Sequence, residues 1–401
     1  MSASKGSKIA ASALAGSAFI MATSAIGPGF ITQTTRFTEQ LTTSLGFVIV
    51  CSIVLDIVVQ LNIWRVISVS GMRAQDLANR LAPGMGYLLA ILIVLGGLAF
   101  NIGNVAGAAM GVQVMVGADF WIGAVLSVII SLFVFWNREA GKTLDLFSKI
   151  LGGIMIALMG YIAISSAPPV TEVMHHAVLP ETIDTTAIIV LVGGTVGGYI
   201  SFAGVHRLLE AGITGSENIP SVSRAAVKGI MLASAMRILL FLAVLGIVVT
   251  GATLDEGNPA ATVFRLAAGE VGYRIFGVVL WCAAITSVVG SAYTSVSFLR
   301  TFHSFFERHH RIIITFFITC SAVIFLIVGR PVSILIVAGA LNAFILPLAL
   351  GIILLASRKT AIVNQYRHPW WMIITGWVVV VALGLMCIYA VTSDLGRLWN
   401  Q

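Results

Sequence analysis

The sequence predicts an all-α polytopic membrane protein made of two inverted five-helix repeats and an eleventh helix. Three observations predict it. Of the 401 residues 58% are apolar and only 10% charged, with a mean hydropathy of +1.02, whereas a soluble domain carries roughly 25% charge. Apolar windows able to cross ~30 Å of hydrocarbon, about 20 residues each, occur near 10–40, 46–67, 87–115, 120–137, 146–166, 186–211, 225–252, 272–300, 312–329, 332–356 and 371–392. The first and the sixth of these are interrupted by glycine, so each interruption opens a block of five. The expected organisation is one transporter domain over 1–401, with repeats at 9–166 and 186–356 and the extra helix at 371–392.

The first window begins after Lys5 and Lys8 and passes through small residues at 22–25, which imitates a secretory leader; the many spans that follow make it the first span instead. Gly27-Pro28-Gly29 interrupts it. In the second window Asp56 and Gln60 share one face at i, i+4, and Gly71, Pro83 and Gly84 punctuate the connection to the third. The third carries Gly107 and Gly111 at the GxxxG spacing of close helix packing. Pro168 and Pro169 follow the fifth. The segment from Pro168 to Asp184 holds Glu172, His175, His176 and Glu181; adjacent histidines on a loop chelate poorly, so a solvated loop is expected.

The sixth window contains Gly193-Gly194-Thr195-Val196-Gly197-Gly198, and the seventh a lone Arg237, for which Asp56 is the candidate buried partner. The eighth holds Thr286, Ser287, Ser291, Thr294 and Ser295. Cys51, Cys282, Cys320 and Cys387 all lie in apolar runs without metal-ligand spacing and read as small buried hydrophobes.

Topology follows from Lys and Arg in the short loops. With the N-terminus inside, seventeen fall on the inner side and only Arg36, Arg265, Arg274, Arg330 and Arg397 outside. This places the N-terminus in the cytoplasm and the C-terminus outside a cell (inner) membrane. It also explains the net charge of +7 without nucleic acid; the expected partners are the lipid bilayer and a small-molecule substrate.

A helix broken in hydrocarbon strands backbone N–H and C=O groups at several kcal/mol each, so breaks persist where they line a cavity or face protein. Paired breaks in two halves point to an alternating-access transporter with its site between them. Neither the nucleophile–base set of an enzyme nor the charged rings of a channel are present.

Gly16-Ser17-Ala18-Phe19-Ile20 leading to Gly27-Pro28-Gly29-Phe30, the 99–109 run of the third window and Gly194-Thr195-Val196 in the sixth resemble the NRAMP family of divalent-metal transporters. That resemblance covers nearly the whole chain and implies the LeuT-type fold of the APC superfamily, with discontinuous helices 1 and 6. It also locates departures. The family's Asp-Pro-Gly-Asn falls on Gly27 to Phe30, so its metal-binding Asp and Asn are replaced by Gly27 and Phe30. Its Met-Pro-His falls on Gly197, Gly198 and Tyr199. The acidic pair of its third helix is here Asn101 and Asn104, amides that do not titrate. A divalent cation leaving water needs several hard ligands, usually with a carboxylate, and these positions supply none.

The helix N-termini after Gly29 and Gly198 each carry about +0.5 charge, and glycine lets a ligand reach backbone N–H groups. The expected substrate is therefore a small carboxylate, amino-acid-derived or cyclic, with divalent Mn²⁺ or Mg²⁺ as the alternative the family implies. Thr23, Ser24, Gly27, Pro28, Gly29, Phe30, Gln33, Thr34, Gly194, Gly197, Gly198, Tyr199 and Ser201 are the candidate substrate contacts. Thr286, Ser287, Ser291, Thr294 and Ser295 are candidates for a Na⁺ site, with H⁺ the other coupling ion. No cofactor or resident metal is expected. Arg36 with Glu39, and Arg207 with Glu210, sit at i, i+3 and read as self-neutralising pairs or gate residues. Gly197→Leu is expected to abolish binding with the fold intact.

Overall fold

The computed structural model describes residues 2–393, side chains at 2–9, 138, 142, 145, 148 and 393 excepted. The side chains of Lys5, Lys8, Arg138 and Lys142, and all of Arg397, which enter the topology count, lie outside the described set.

The elements are α1 (Ser2–Ala25), α2 (Pro28–Leu41), α3 (Leu45–Ser70), α4 (Ala74–Leu81), α5 (Met85–Val116), α6 (Phe120–Trp136), α7 (Arg138–Ser165), α8 (Val170–His176) and α9 (Thr185–Val196). They continue with α10 (Ile200–Glu210), α11 (Ile219–Val248), α12 (Pro259–Ser297), α13 (Ser304–Arg308), α14 (His310–Val328), α15 (Pro331–Ala356), α16 (Thr360–Val363) and α17 (Trp370–Ser393). Side chains that accept otherwise orphaned N–H groups fix several starts: Asn137 at α7, Asp184 at α9 and Asn258 at α12.

All eleven predicted windows are helical. By length and apolarity, eight segments among the described residues are able to cross a membrane, or nine if the pair Lys149–Ser165 and Val170–His176, bent by 104°, is one span. The count is lower than eleven because α2 runs into α3 as one 43-residue segment, Pro28–Ser70, and because Ala10–Ala25 and Phe120–Trp136 are short. The segment after Pro168, expected as loop, contains α8, whose His176 Nδ1 lies 2.7 Å from the Thr43 hydroxyl and whose Nε2 lies 3.6 Å from Glu181. His176 thus ties this turn to the end of α2.

The core forms where helices approach closely. A Cβ on Gly107 of α5 would overlap the Pro28 ring, and one on Gly111 would stand 2.8 Å from Trp281 Cβ on α12; the GxxxG pair is a packing surface that seats the first break. A Cβ on Gly229 of α11 would stand 2.9 Å from the Ala18 carbonyl, and one on Gly204 of α10 2.8 Å from the Ser17 carbonyl. The first segment is therefore built into the bundle. Outward-facing Val54, Leu95, Ile129, Ile327, Val378 and Leu385 remain exposed, as a surface wetted by lipid requires. Of the four free cysteines, Cys282 and Cys387 are buried, while Cys51 and Cys320 are only half-buried, a correction to the sequence expectation.

His368, in the connection before α17, lies with Nε2 2.8 Å from Asn62 Oδ1 on α3 and Nδ1 3.1 Å from the Tyr366 hydroxyl. Asn62 Oδ1 accepts and Tyr366 O–H donates, which matches a neutral ring protonated on Nε2. Burial, and then the Arg65 guanidinium, push this imidazole down from 6.5 to about 4. A group neutral when folded but ordinary when unfolded contributes its full stabilisation above pH 6.5 and loses it as pH falls from 6.5 toward 4. Thermal stability in detergent should decline over that window, and His368→Gln should flatten the decline.

Candidate functional site

The first break is the two residues Ile26 and Gly27. Gly27 is the N-cap of α2, extended at φ −101° and ψ −175°, and no side chain caps the helix. Pro28 at the first helical position has no N–H and fixes φ, which favours starting a helix there. A Cβ on Gly27 would lie 3.4 Å from Ser287 Oγ and 3.5 Å from Asn104 Oδ1, so this turn faces α12 and α5.

The second break is narrower than the glycine run suggested. α9 continues through Val196, and only Gly197, Gly198 and Tyr199 leave the helix. Gly193 and Gly194 are helical packing positions: their Cβ atoms would overlap the Gly339 carbonyl and Gln33 Oε1 respectively. Gly198 has φ +54°, and a Cβ there would overlap Asn342 Oδ1. Across the turn the Ser201 hydroxyl donates to the Val196 carbonyl. Gly197 lies against backbone, where a Cβ would stand 2.8 Å from the Asn342 carbonyl, so Gly197→Leu would damage the α9–α15 contact and is not a clean probe of binding.

Between the two broken helices opens a cavity of ≈ 820 Å³, lined by Thr23 and Ser24 of α1, by Tyr199 of the second break, and by Thr286, Ser287 and Ser291 of α12, with the exposed Ser12, Lys149 and Arg207 toward its mouth. Residues predicted as substrate contacts and as an ion site thus share one wall. Behind that wall runs an uncharged polar chain. At its head Asn104 Nδ2 donates to Ser291 Oγ at 3.5 Å, with the Tyr199 hydroxyl beside both side chains. Ser291 Oγ donates to Asn101 Oδ1 at 2.9 Å, Asn101 Nδ2 to Ser321 Oγ at 3.1 Å, and Ser321 to the Phe317 carbonyl at 2.8 Å. Phe100 meets the Tyr199 ring edge-on at 5.6 Å, which fixes the ring at the head of the chain.

Other predicted contacts lie elsewhere. Gln33 is fully buried, donates from Nε2 to the Leu335 carbonyl at 2.7 Å and is wedged between α9 and α15. Thr34 is buried in the same helix, and Gly29 stands over Gln33 and Leu335. Thr294 and Ser295 are buried, Ser295 against Gly97 of α5. Thr286 satisfies itself on the Cys282 and Ala283 carbonyls. Phe30 faces a second, apolar pocket of ≈ 280 Å³ with Met155, Met159, Met236 and Cys282, which shares Phe19, Thr23, Lys149 and Thr286 with the main cavity.

Asp56 and Arg237 approach each other without a contact ion pair. Arg237 donates from Nη1 to Ser52 Oγ at 2.9 Å and stacks over Phe30 at 4.9 Å, while Asp56 Oδ1 lies 3.3 Å from the Thr195 hydroxyl. The two i, i+3 pairs do form, Arg36–Glu39 at 2.6 Å and Arg207–Glu210 at 3.3 Å, but Glu210 also binds Arg73 at 3.0 Å and the Tyr293 hydroxyl. Among the described residues no three His, Cys, Asp or Glu side chains converge. Sequence reasoning missed Lys149, which reads there as one more topology charge, and Asn342, whose signal was an isolated amide in an apolar span.

Two broken helices around a polar cavity in a bundle of apolar helices define a membrane transporter of the LeuT-type fold, with an inverted five-plus-five repeat. Solved structures share it: a manganese transporter of Eremococcus coleocola, in complex with an aromatic bis-isothiourea substituted compound, superposes with TM-score 0.73 at 17% identity over 95% of this chain and 86% of that one. MhsT in complex with L-phenylalanine does so with TM-score 0.63 at 17% identity over 93% and 98%. The model of natural resistance-associated macrophage protein-like sequences matches residues 18–393, and the chain belongs to that family. Relatives include the uncharacterized membrane protein YcsG of Bacillus subtilis, 54% identical over 97% of this chain and 96% of its own. Another is an uncharacterized membrane protein of Haemophilus influenzae, 52% identical over 97% and 98%.

Proposed function

We propose that the protein is a secondary active transporter that takes a small organic anion, a carboxylate of amino-acid-derived or cyclic form, through the cavity between its two broken helices by alternating access. The observation that carries this reading is the charge of the cavity wall. Its charged members among the described residues are Lys149 and Arg207. Arg207 shares Glu210 with Arg73, so that cluster stays net positive. Unit charges ~8 Å apart interact by ~2 kcal/mol at an effective dielectric of ~20, enough to favour an anion and disfavour a divalent cation. The start of α2, whose N-terminus has no side-chain cap, adds to the same sign. Tyr199, Ser287 and Ser291 offer hydroxyl contacts to a solute rather than the carboxylate or thioether ligands of a metal.

The basic mouth of the cavity lies on the face that the positive-inside pattern assigns to the cytoplasm, so we read the conformation as inward-open. Na⁺ is the proposed coupling ion, supported by the Ser287 hydroxyl beside the unwound Gly27.

Proteoliposomes supply the test. Wild-type vesicles should accumulate at least one labelled small carboxylate above empty vesicles, more so with an imposed inward Na⁺ gradient, and should not accumulate Mn²⁺ or Mg²⁺. Uptake of either metal without carboxylate uptake would reverse the substrate assignment. Carboxylate uptake indifferent to Na⁺ would leave the solute and remove the ion.

A further inference from the structure

We infer that Arg237 is the residue that takes the substrate's carboxylate, on the far side of the Phe30 ring; this rests on the organic-anion reading above. Arg237 comes from the middle of α11 and is only 2% exposed. It stacks on Phe30 in the first turn of α2, and its nearest acid, Asp56, is engaged by Thr195 at the end of α9. Its one hydrogen bond, from Nη1 to Ser52, leaves Nε and Nη2 buried without partners. Those two nitrogens form the edge of a guanidinium that receives a carboxylate through two parallel N–H···O bonds.

A buried cation kept only for structure is expected to have its donors filled, because an unpaired buried donor costs free energy. Here the acid that could fill them stands apart and is held by a different helix. The route is marked as well. Phe30 lines the apolar pocket that shares four residues with the main cavity, and Met236, next to Arg237 in sequence, lines it too. A substrate entering from the cavity would place its carboxylate on the free edge once the Phe30 ring turns aside, and its apolar part among Met155, Met159 and Met236, whose flexible thioethers adapt to varied shapes. Phe30 is then a gate within the site as well as a wall.

The test uses full-length protein in proteoliposomes and labelled small carboxylates, aliphatic, cyclic and amino-acid-derived, each beside its primary amide. Wild-type protein should prefer acid over amide. Arg237→Gln should lose that preference by roughly 10- to 100-fold, the range for a charge-assisted bidentate pair. Arg237→Lys keeps the charge without the fork and should fall between. Should Arg237→Gln fail to fold because Asp56 is left uncompensated, the double variant Asp56→Asn/Arg237→Gln is neutral and should fold with the same loss of preference. Acid preference kept by either glutamine variant would overturn the inference while the anion reading stands. No carboxylate uptake by wild-type protein would remove both.

Discussion

Gly27→Asp should abolish carboxylate uptake while leaving the protein as stable as wild type or slightly more so. The backbone at position 27 is extended, with φ −101°, and suits any L-residue. A Cβ there meets only the ends of Ser287 and Asn104, at 3.4 and 3.5 Å, which is ordinary contact. The position is also an N-cap without a side-chain bond, where aspartate is among the best residues and contributes about 1 kcal/mol. The same carboxylate would cancel the partial positive charge of the α2 terminus and put an anion against Ser287, in the wall expected to receive one. Like charges ~4 Å apart repel by ~4 kcal/mol at an effective dielectric of ~20, about a thousandfold in affinity. Uptake at fixed protein load, read beside the thermal midpoint, separates the effects. A variant that folds and still transports would place the site away from the start of α2.

How far such a site is legible in sequence is shown by the hydroxyl stripe of α12. Ser287, Ser291 and Ser295 recur at i, i+4, so their common face was readable. The structure lays that face along α5, where Ser287 and Ser291 reach the cavity and Ser295 ends between helices against Gly97. Periodicity assigns a face; it does not say how far along the face the cavity extends. The glycines behave alike. Gly27 and Gly198 mark real breaks because they adjoin proline or adopt a positive φ, whereas Gly193 and Gly194 look identical in sequence and serve close packing on α15 and Gln33. The eleven windows were legible because hydrocarbon imposes a length and a polarity together. Which polar side chains meet across helices was not: Gln33 reads as a pocket amide, but its partner Leu335 is 302 residues away.

Gly198→Ala should be the most damaging small substitution in the second break, and most of its cost should depend on Asn342. At φ +54° an L-residue costs about 1–2 kcal/mol. The added Cβ would also overlap Asn342 Oδ1, and Asn342 has little freedom to yield: Nδ2 donates to the Gly96 and Ala338 carbonyls, each at 2.9 Å. Moving it sacrifices two buried hydrogen bonds of ~1 kcal/mol each, so a total near 3–4 kcal/mol is expected. Asn342→Ala alone should cost ~2 kcal/mol by freeing those carbonyls. Together the two changes should cost less than their sum by ~2 kcal/mol, because the collision is then gone and Gly198→Ala adds only the backbone strain. Reaction of buried Cys282 and Cys387 with a thiol-reactive fluorophore during heating in detergent reports unfolding of each variant. Strict additivity would mean that Asn342 does not press on the break. Coupling of the expected sign would mean that α15 clamps the turn between α9 and α10, so that any movement of that half-helix during transport must first displace an amide held by α5.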